Sequence, residues 1–189
     1  MSDSKTYSDY LTTRSFKGGL YRRWYLYPIL SRFLTGNVLD YGCGIGDFLA
    51  YRTNTIGVDI NCHNVAICLQ RGLDALVIDK KRLPFENEYS SNLIMDNVLE
   101  HIAPNEAGET LQELIRVTAA QGYLVIGVPG IKAYTSDKDH RCYYSERDLV
   151  ALMSTFSCPH VCTLHLPFKF PFLSNFLRQY CIYGVFRRP

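Results

Sequence analysis

The feature that most constrains the fold is the stretch VLDYGCGIG at residues 38–46, where a short apolar run with an acid is followed by three alternating glycines. The apolar run predicts a buried β-strand. The glycines predict a tight turn, because glycine adopts backbone angles that other residues disfavour. A turn without side chains lets a ligand lie directly against the backbone. The stretch therefore predicts a strand that leads into a ligand-binding turn.

The spacing of this stretch is D-x-G-x-G-x-G, which differs from the G-x-G-x-x-G of dinucleotide-binding loops. In the dinucleotide loop, the N-terminus of a helix receives a pyrophosphate. Here Asp40 precedes the first glycine, and an acid suits a ligand with a cationic part, such as an amino-acid ammonium. The spacing and the acid both disfavour a nicotinamide-dependent oxidoreductase, which is kept as an alternative.

The bulk composition indicates one globular domain. The chain has 189 residues, of which 47% are hydrophobic and 20% charged, with a net charge of +2. That charge is too small to indicate a nucleic-acid partner by itself. No apolar run approaches the roughly 18 residues of a membrane span, and residues 1–14 do not resemble a signal peptide. Seven scattered cysteines favour reduced thiols in a cytoplasmic protein, with no metal site.

From residue 36 onward, strand and helix patterns alternate, which predicts a parallel sheet with helices on both faces. Asn61 and Ser145 are expected to cap helices, and Gly72 to close one. The predicted strands are Val38–Tyr41, Thr55–Ile60, Ala75–Ile78, Ser91–Met95, Gly122–Val128, Val161–Leu166 and Tyr180–Phe186. The predicted helices are Asp47–Arg52, His63–Arg71, Glu106–Ala119 and Glu146–Phe156.

Three motifs together resemble one protein superfamily. The glycine stretch is similar to the first motif of the class I methyltransferases that use S-adenosylmethionine. Leu83-Pro84-Phe85 looks like the LPF of the small-molecule methyltransferases related to ubiquinone and menaquinone biosynthesis, the type 11 group. Residues 96–102 (DNVLEHI) are similar to the fourth-strand motif of that group. The resemblance spans roughly residues 36–150. The chain departs from the family pattern in two ways. Its first helix after the glycine stretch is short, and it lacks a long insertion before the last strands. Any lid over the substrate is therefore expected to be small.

The resemblance implies a three-layer Rossmann-like α/β fold with a seven-stranded mixed sheet and helices on both faces. It also implies S-adenosylmethionine as the cofactor. We expect a single domain over residues 1–189, with a helical N-terminal cap at 1–35 and an α/β core at 36–189.

The acids Asp40, Asp59 and Asp79 fall at the ends of successive predicted strands, where open α/β sheets bind ligands. Asp40 and the glycine backbone are expected to hold the methionine part of the cofactor. Asp59 is expected to accept both ribose hydroxyls, and Asp79 the exocyclic amine of adenine, with Lys80 flanking the ring. The full set of cofactor-binding candidates is Asp40, Gly42, Cys43, Gly44, Gly46, Asp59, Ile60, Asp79, Lys80 and Asn97.

A base is useful in methyl transfer when the acceptor is a hydroxyl. His101 follows the fourth strand and His140 lies in the loop after the fifth, so both are expected at the acceptor edge, with His140 the favoured base. Trp24, Tyr143 and Tyr144 are candidates for contacting the substrate.

The DHxxxY-type loop at residues 139–144, together with the VPG turn at residues 128–130, resembles small bacterial methyltransferases of surface-polysaccharide pathways. That resemblance implies a small-molecule acceptor, namely a hydroxyl of a sugar or related metabolite. No nucleic-acid partner and no transmembrane segment are expected. The aromatic-rich C-terminal region suggests a homodimer contact. Two alternatives stay open: a quinone or lipid-precursor methyltransferase, and a non-catalytic methyltransferase-like subunit.

Overall fold

A seven-stranded mixed β-sheet organises the chain in our computed structural model, which describes residues 16–79, 82–177 and 179–189. The strand order is β3-β2-β1-β4-β5-β7-β6. Strands β1 to β5 are parallel to their neighbours, whereas β7 runs antiparallel to both β5 and β6. The strands are β1 Val38–Tyr41, β2 Thr55–Asp59, β3 Ala75–Val77, β4 Asn92–Asp96, β5 Tyr123–Pro129, β6 His160–Leu166 and β7 Cys181–Arg187.

Helices cover the two faces of this sheet. The N-terminal segment α1 consists of three consecutive helical stretches, Phe16–Tyr21, Arg22–Leu26 and Tyr27–Leu30, of which the middle one has π geometry. The later helices are α2 Asp47–Tyr51, α3 Cys62–Gln70, α4 Pro104–Val117, α5 Ile131–Tyr134 and α6 Glu146–Ser154. This architecture confirms the predicted three-layer fold with a seven-stranded mixed sheet.

Alternate residues of the central strands supply the two cores, as the pleat requires. On one face, Leu39 of β1 belongs to the apolar cluster that contains Leu111 and Leu114 of α4. On the other face, the neighbouring Val38 belongs to the cluster that contains Leu30 of α1. The side chains of α1 therefore complete the core on one side of the sheet.

Local capping signals fix several helix ends. The side chain of Asn61 accepts a hydrogen bond from the His63 amide at the start of α3. Ser145 and Asp148 form a reciprocal capping box at the start of α6. Gly72 has φ +70° after α3. The predicted bounds of strands and helices lie within two residues of the observed ones.

The sequence patterns did not predict three short elements: α5 and the 3₁₀ turns at Leu99–His101 and Pro171–Asn175. Elements of three to five residues contain too few positions to show a helical period. In the described parts of the chain, no helix combines the length and the apolar character that crossing a membrane requires.

The sheet topology brings distant loops to one edge. Strands β1 to β5 share a direction, so their carboxyl ends lie together. Strand β7 is antiparallel to both β5 and β6, so β6 also ends at that edge and β7 begins there. The connection between β6 and β7 therefore lies at the same edge as the glycine turn after β1. We call this the carboxyl edge.

Candidate functional site

The glycine turn has the geometry that the sequence predicts. Gly42, Gly44 and Gly46 have φ values of +76°, +55° and +81°, in the left-handed region that disfavours other residues. A Cβ at Gly42 would overlap the side chain of Val98. The thiol of Cys68 in α3 donates to the carbonyl of Gly44 at 3.3 Å. The backbone at these glycines therefore carries no side chains, and a hydrogen bond from α3 holds the turn in place.

Asp59, at the end of β2, anchors this turn. Its Oδ2 accepts from the Gly44 amide at 2.9 Å and from the Asn64 side-chain amide at 3.3 Å, while its Oδ1 accepts from the Asn61 amide at 2.8 Å. These hydrogen bonds favour the carboxylate, but burial outweighs them and raises the pKa of Asp59. The side chain predicted to accept ribose hydroxyls therefore also fixes the shape of the loop.

Buried acids make the site receptive to a cation. Asp40 is 4% exposed, and burial raises its pKa well above the usual range, with further contributions from Asp96 and Asp59. Oδ1 of Asp96 accepts from the Tyr183 hydroxyl at 2.9 Å. A cationic ligand between these carboxyls would relieve their mutual repulsion. The arrangement fits a cofactor that carries an ammonium and a sulfonium.

The other predicted cofactor residues lie along the same edge. The Cys43 side chain packs in a small cluster with Cys68 and Val65, so only its backbone faces the turn. Ile60 follows β2 and is 56% exposed. Asp79 is exposed just beyond β3, whereas Lys80 lies outside the described residues. The side-chain amide of Asn97, whose φ is +55°, donates to the Asp96 carboxylate at 2.7 Å. Their roles toward the cofactor stay predictions.

The two candidate bases meet although 38 residues separate them in the chain. The ring centroids of His101 and His140 are 4.7 Å apart. The Nδ1 atom of His140 lies 2.8 Å from the carbonyl oxygen of Tyr134, and Nδ1 of His101 lies 3.3 Å from that of Asp139. A carbonyl only accepts, so each Nδ1 carries the proton and each neutral ring has its lone pair on Nε2.

The two free nitrogens face different surroundings. Nε2 of His140 lies 3.9 Å from Glu100 and 3.9 Å from Asp137, and the His140 side chain is only 8% exposed. Burial and the nearby His140 both lower the pKa of His101, so its ring is neutral near pH 7. A neutral ring can accept a proton at Nε2, so His101 is a candidate base.

Glu100 is a residue of this site that the sequence reasoning did not assign. It is fully buried, and neither carboxyl oxygen has a hydrogen-bond partner among the described residues. Burial, followed by the nearby Asp96 and Asp137, raises the pKa of Glu100 to about 8. Its backbone carbonyl accepts from the amides of Arg141 and Cys142, which ties the histidine loop to the turn after β4. The sequence signal that could have identified Glu100 is its position in the VLEH motif at residues 98–101.

Glu100, His101 and His140 also form a possible metal donor set, where the sequence indicated none. Their ligating atoms all lie within 4.8 Å of one another. Two imidazoles and a carboxylate suit divalent transition metals.

The predicted substrate residues lie in three different environments. Trp24 on α1 is 73% exposed, with the Arg23 guanidinium 6.0 Å from its ring centre. Tyr143 is half-buried and packs edge-on against Tyr134 at 5.4 Å. Tyr144 is buried in the main apolar core, and its role toward a substrate stays a prediction.

Comparison with known proteins shows similarity to methyltransferases. Residues 39–126 match the family described as "Methyltransferase domain". The chain is 33% identical over 121 residues to the tRNA (carboxymethyluridine(34)-5-O)-methyltransferase of Arabidopsis thaliana, a match that covers 60% of this chain and 29% of that protein. It is 33% identical over 94 residues to the probable tRNA methyltransferase 9B of Mus musculus, covering 48% and 21%. The matched region thus spans less than a third of either relative.

A solved structure supports the fold. The chain superposes on a SAM-dependent methyltransferase from Archaeoglobus fulgidus with a TM-score of 0.70 and 18% identity, covering 92% of this chain and all of that one. At this identity, the likeness bears on the fold alone.

The curated relatives correct one expectation from the sequence. The sequence motifs and the net charge predicted a small-molecule acceptor and no nucleic-acid partner. Both relatives described above, however, are named as tRNA methyltransferases. That prediction is wrong. Its physical basis, a net charge of only +2, averages over segments of opposite charge.

Proposed function

Because the chain belongs to the class I methyltransferases that use S-adenosylmethionine, we propose that it transfers a methyl group from that cofactor to an oxygen atom of an RNA. The cofactor supplies a methyl group already activated by the positive charge on sulfur. The protein then has to bind and orient the two reactants and exclude water. The superfamily and the cofactor in this proposal are those that the sequence predicts. The acceptor differs, because an RNA takes the place of the predicted small molecule.

In this proposal, the glycine turn and three acids hold the cofactor. Asp40 and Asp96 provide the negative field for its cationic part. Asp59 fixes the turn through Gly44 and offers its one remaining acceptor site to a ribose hydroxyl. The exposed face of Ile60 next to Asp59 provides an apolar surface for the adenine ring.

The observation that carries the RNA acceptor is the distribution of charge. Residues 10–39 and 149–189 contain nine Lys or Arg residues and no Asp or Glu, whereas the rest of the chain contains eleven and eighteen, respectively. These two segments meet in the folded chain, because α1 shares an apolar cluster with β6 and β7. At the carboxyl edge these segments place Arg23 and Lys169 beside exposed aromatic rings, which suits a polyanion. The names of the curated relatives agree with this reading.

We assign the base to His101 and a positioning role to His140. His101 keeps its lone pair on Nε2 through the contact between Nδ1 and the Asp139 carbonyl, and its lowered pKa keeps the ring neutral. His140 packs against it from the buried side, close to Glu100. If the acceptor oxygen is a hydroxyl, His101 removes its proton as the new bond forms. A carboxylate oxygen needs no base.

The test is methyl transfer from radiolabelled S-adenosylmethionine to bulk tRNA, with a pool of nucleotide sugars as the competing acceptor. We expect label in the RNA fraction with the wild-type protein and none with Gly44→Val. That substitution places a branched side chain at φ +55° in the cofactor turn. Circular dichroism of Gly44→Val checks that the fold is retained.

RNA affinity provides a second measurement that does not require the correct acceptor. We expect it to fall steeply between low and physiological salt, as counterion release predicts. Label on the sugars with none on RNA, together with salt-independent RNA binding, would contradict the RNA acceptor. Absence of binding to S-adenosylhomocysteine in calorimetry would contradict the cofactor site itself.

A further inference from the structure

We propose that a row of exposed aromatic side chains at the carboxyl edge is a stacking site for the bases of single-stranded RNA. We call this row the aromatic ridge. It consists of one ring from α1 and four from the connection between β6 and β7, namely Trp24, Phe168, Phe170, Phe172 and Phe176. The inference rests on the proposed RNA acceptor and adds how that RNA is held.

Exposure separates the ridge from the other aromatic side chains. Its five members are between 54% and 73% exposed. By contrast, Tyr180, Tyr183 and Phe186, which follow directly in the chain, are at most 1% exposed. The fold therefore buries the rings that follow in the chain but leaves those of the ridge exposed to solvent. A cluster of exposed aromatic side chains is typical of a binding surface.

Tertiary contacts bring the two parts of the ridge together. The hydroxyl of Tyr25 donates to the carbonyl of Pro167 at 2.8 Å, across 142 positions of sequence. Leu26 and Leu166 belong to the same apolar cluster. Trp24 therefore lies on the segment that contacts the start of the β6–β7 connection, and the rings of both segments border one edge of the sheet.

The ridge combines rings with cations, which selects a ligand that is both flat and anionic. The Arg23 guanidinium lies 6.0 Å from the Trp24 ring centre, and Lys169 lies between two of the phenylalanines in the chain. Neither contributing segment contains an acid. Single-stranded nucleic acid matches this pattern, because every base offers an aromatic face and every phosphate a negative charge. The ridge also borders the edge where the acceptor must enter.

Trp24 makes the proposal directly measurable. It is the only tryptophan of the chain, so fluorescence excited selectively in tryptophan, and not in the tyrosines, reports on the ridge. An oligoadenylate of about 12 nucleotides, within the usual range of such sites, serves as the probe. An RNA backbone of equal length without bases serves as its control. We expect oligoadenylate to quench the fluorescence, and the abasic strand to bind more weakly without quenching.

Single substitutions separate stacking from charge. Phe170→Ala and Phe172→Ala should each weaken binding of oligoadenylate by about 5- to 100-fold, the cost of losing one stacked base, and leave abasic binding unchanged. Lys169→Gln should weaken both strands and lower the salt slope by about 0.7. Tyr89→Ala is the matched control, because Tyr89 is 41% exposed just before β4, at the opposite edge. It should change neither strand.

The outcomes distinguish this inference from the function on which it rests. If the wild-type protein binds both strands equally and the Phe170 and Phe172 variants match it, stacking is wrong, while methylation of tRNA still supports the RNA acceptor. If Trp24 responds to vesicles containing phosphatidylserine and not to oligoadenylate, the ridge is a membrane-contacting surface and the inference is overturned. Failure of tRNA to be methylated, with oligoadenylate quenching intact, would count against the acceptor alone.

Discussion

At the scale of single residues, the site depends on buried acids whose charge the fold makes costly. Glu100 and Asp40 are both almost completely buried, and burial is the largest cause of the raised pKa of each. An ionised carboxyl in such surroundings destabilises the folded state unless a cation or hydrogen-bond donor accompanies it. These side chains therefore favour ligand binding at the expense of stability.

Glu100 gives a prediction about pH. Below its usual pKa of 4.5, the carboxyl is protonated whether or not the chain is folded. As the pH rises toward 8, the unfolded chain releases this proton and the folded chain retains it, so the free energy of unfolding falls. Glu100→Gln removes this term. We expect the variant to be more stable than wild type by about 1–3 kcal/mol at pH 8, with the difference disappearing only below about pH 4.

Urea denaturation at the two pH values measures this difference. Glu106→Gln is the control, because Glu106 lies on the first turn of α4 and is only partly buried. A constant difference between wild type and Glu100→Gln across this range would contradict an uncompensated buried carboxyl.

The histidines give a second prediction at this scale. For a hydroxyl acceptor, His101→Ala should lower the rate of methyl transfer by about 10²–10⁴-fold. His140→Ala should lower it less and shift the pH profile, since His140 acts on the pKa of His101. Affinity for S-adenosylhomocysteine, measured by calorimetry, should change little in either variant. A rate unaffected by both substitutions would indicate an acceptor that is already ionised.

At the scale of secondary-structure elements, α1 closes over the cofactor turn. Nη2 of Arg22 bonds to Oδ2 of Asp47 at 2.9 Å, and Asp47 is the first residue of the helix that follows the turn. Tyr21 lies close enough to Asp96 and Cys181 for these groups to raise its pKa, although burial is the largest cause. The N-terminal segment is therefore part of the site as well as part of the core.

Removing this contact should loosen α1. Arg22→Ala loses a partly buried, charge-assisted hydrogen bond, and we expect a cost of about 1–3 kcal/mol. Backbone amides of α1 should exchange faster, and S-adenosylhomocysteine should bind more weakly. Arg32→Ala, an exposed arginine just after α1, is the control. Equal exchange in both variants would mean that the apolar face of α1 holds it in place alone.

At the scale of the whole molecule, opposite charges are separated rather than mixed. The two acid-free segments contribute to both faces of the sheet, through Leu30 of α1 on one and Leu149 of α6 on the other. Most acids lie in the central part of the chain, including the cofactor site. A cationic cofactor and an anionic acceptor can then be attracted to neighbouring regions by fields of opposite sign. A net charge near zero conceals this separation.

Ligand binding should stabilise the entire folded unit. A ligand that binds only the folded state stabilises it by about 2.7 kcal/mol at 100 times its dissociation constant. For a chain of this size, that corresponds to a rise in Tm of roughly 5–10 °C. We expect S-adenosylhomocysteine to produce such a rise in differential scanning fluorimetry, and NAD to produce none. An equal rise with NAD would contradict the assignment of the glycine turn.

Local patterns in the sequence were sufficient to predict the central fold. Several correct predictions depend on residues that are close together in the chain. These are the strand before the glycine turn, the acids at the ends of β1 and β2, the caps at Asn61 and Ser145, and the alternation of strands and helices. The physical terms involved, namely backbone preference, burial of alternate side chains and capping, act over a few residues. For the same reason, the predicted element bounds lie close to the observed ones.

What the tertiary structure decided is which distant residues meet. Glu100 becomes a buried acid of the site only because the loop carrying His140 packs over it, and no local pattern records that contact. Trp24 and Phe170 share an edge because β7 runs antiparallel between β5 and β6 and because α1 packs on the same face. Burial and electrostatics depend on distance in space, whereas sequence patterns record only distance along the chain. The cluster of Glu100, His101 and His140 and the shared edge of the aromatic ridge therefore required the tertiary structure.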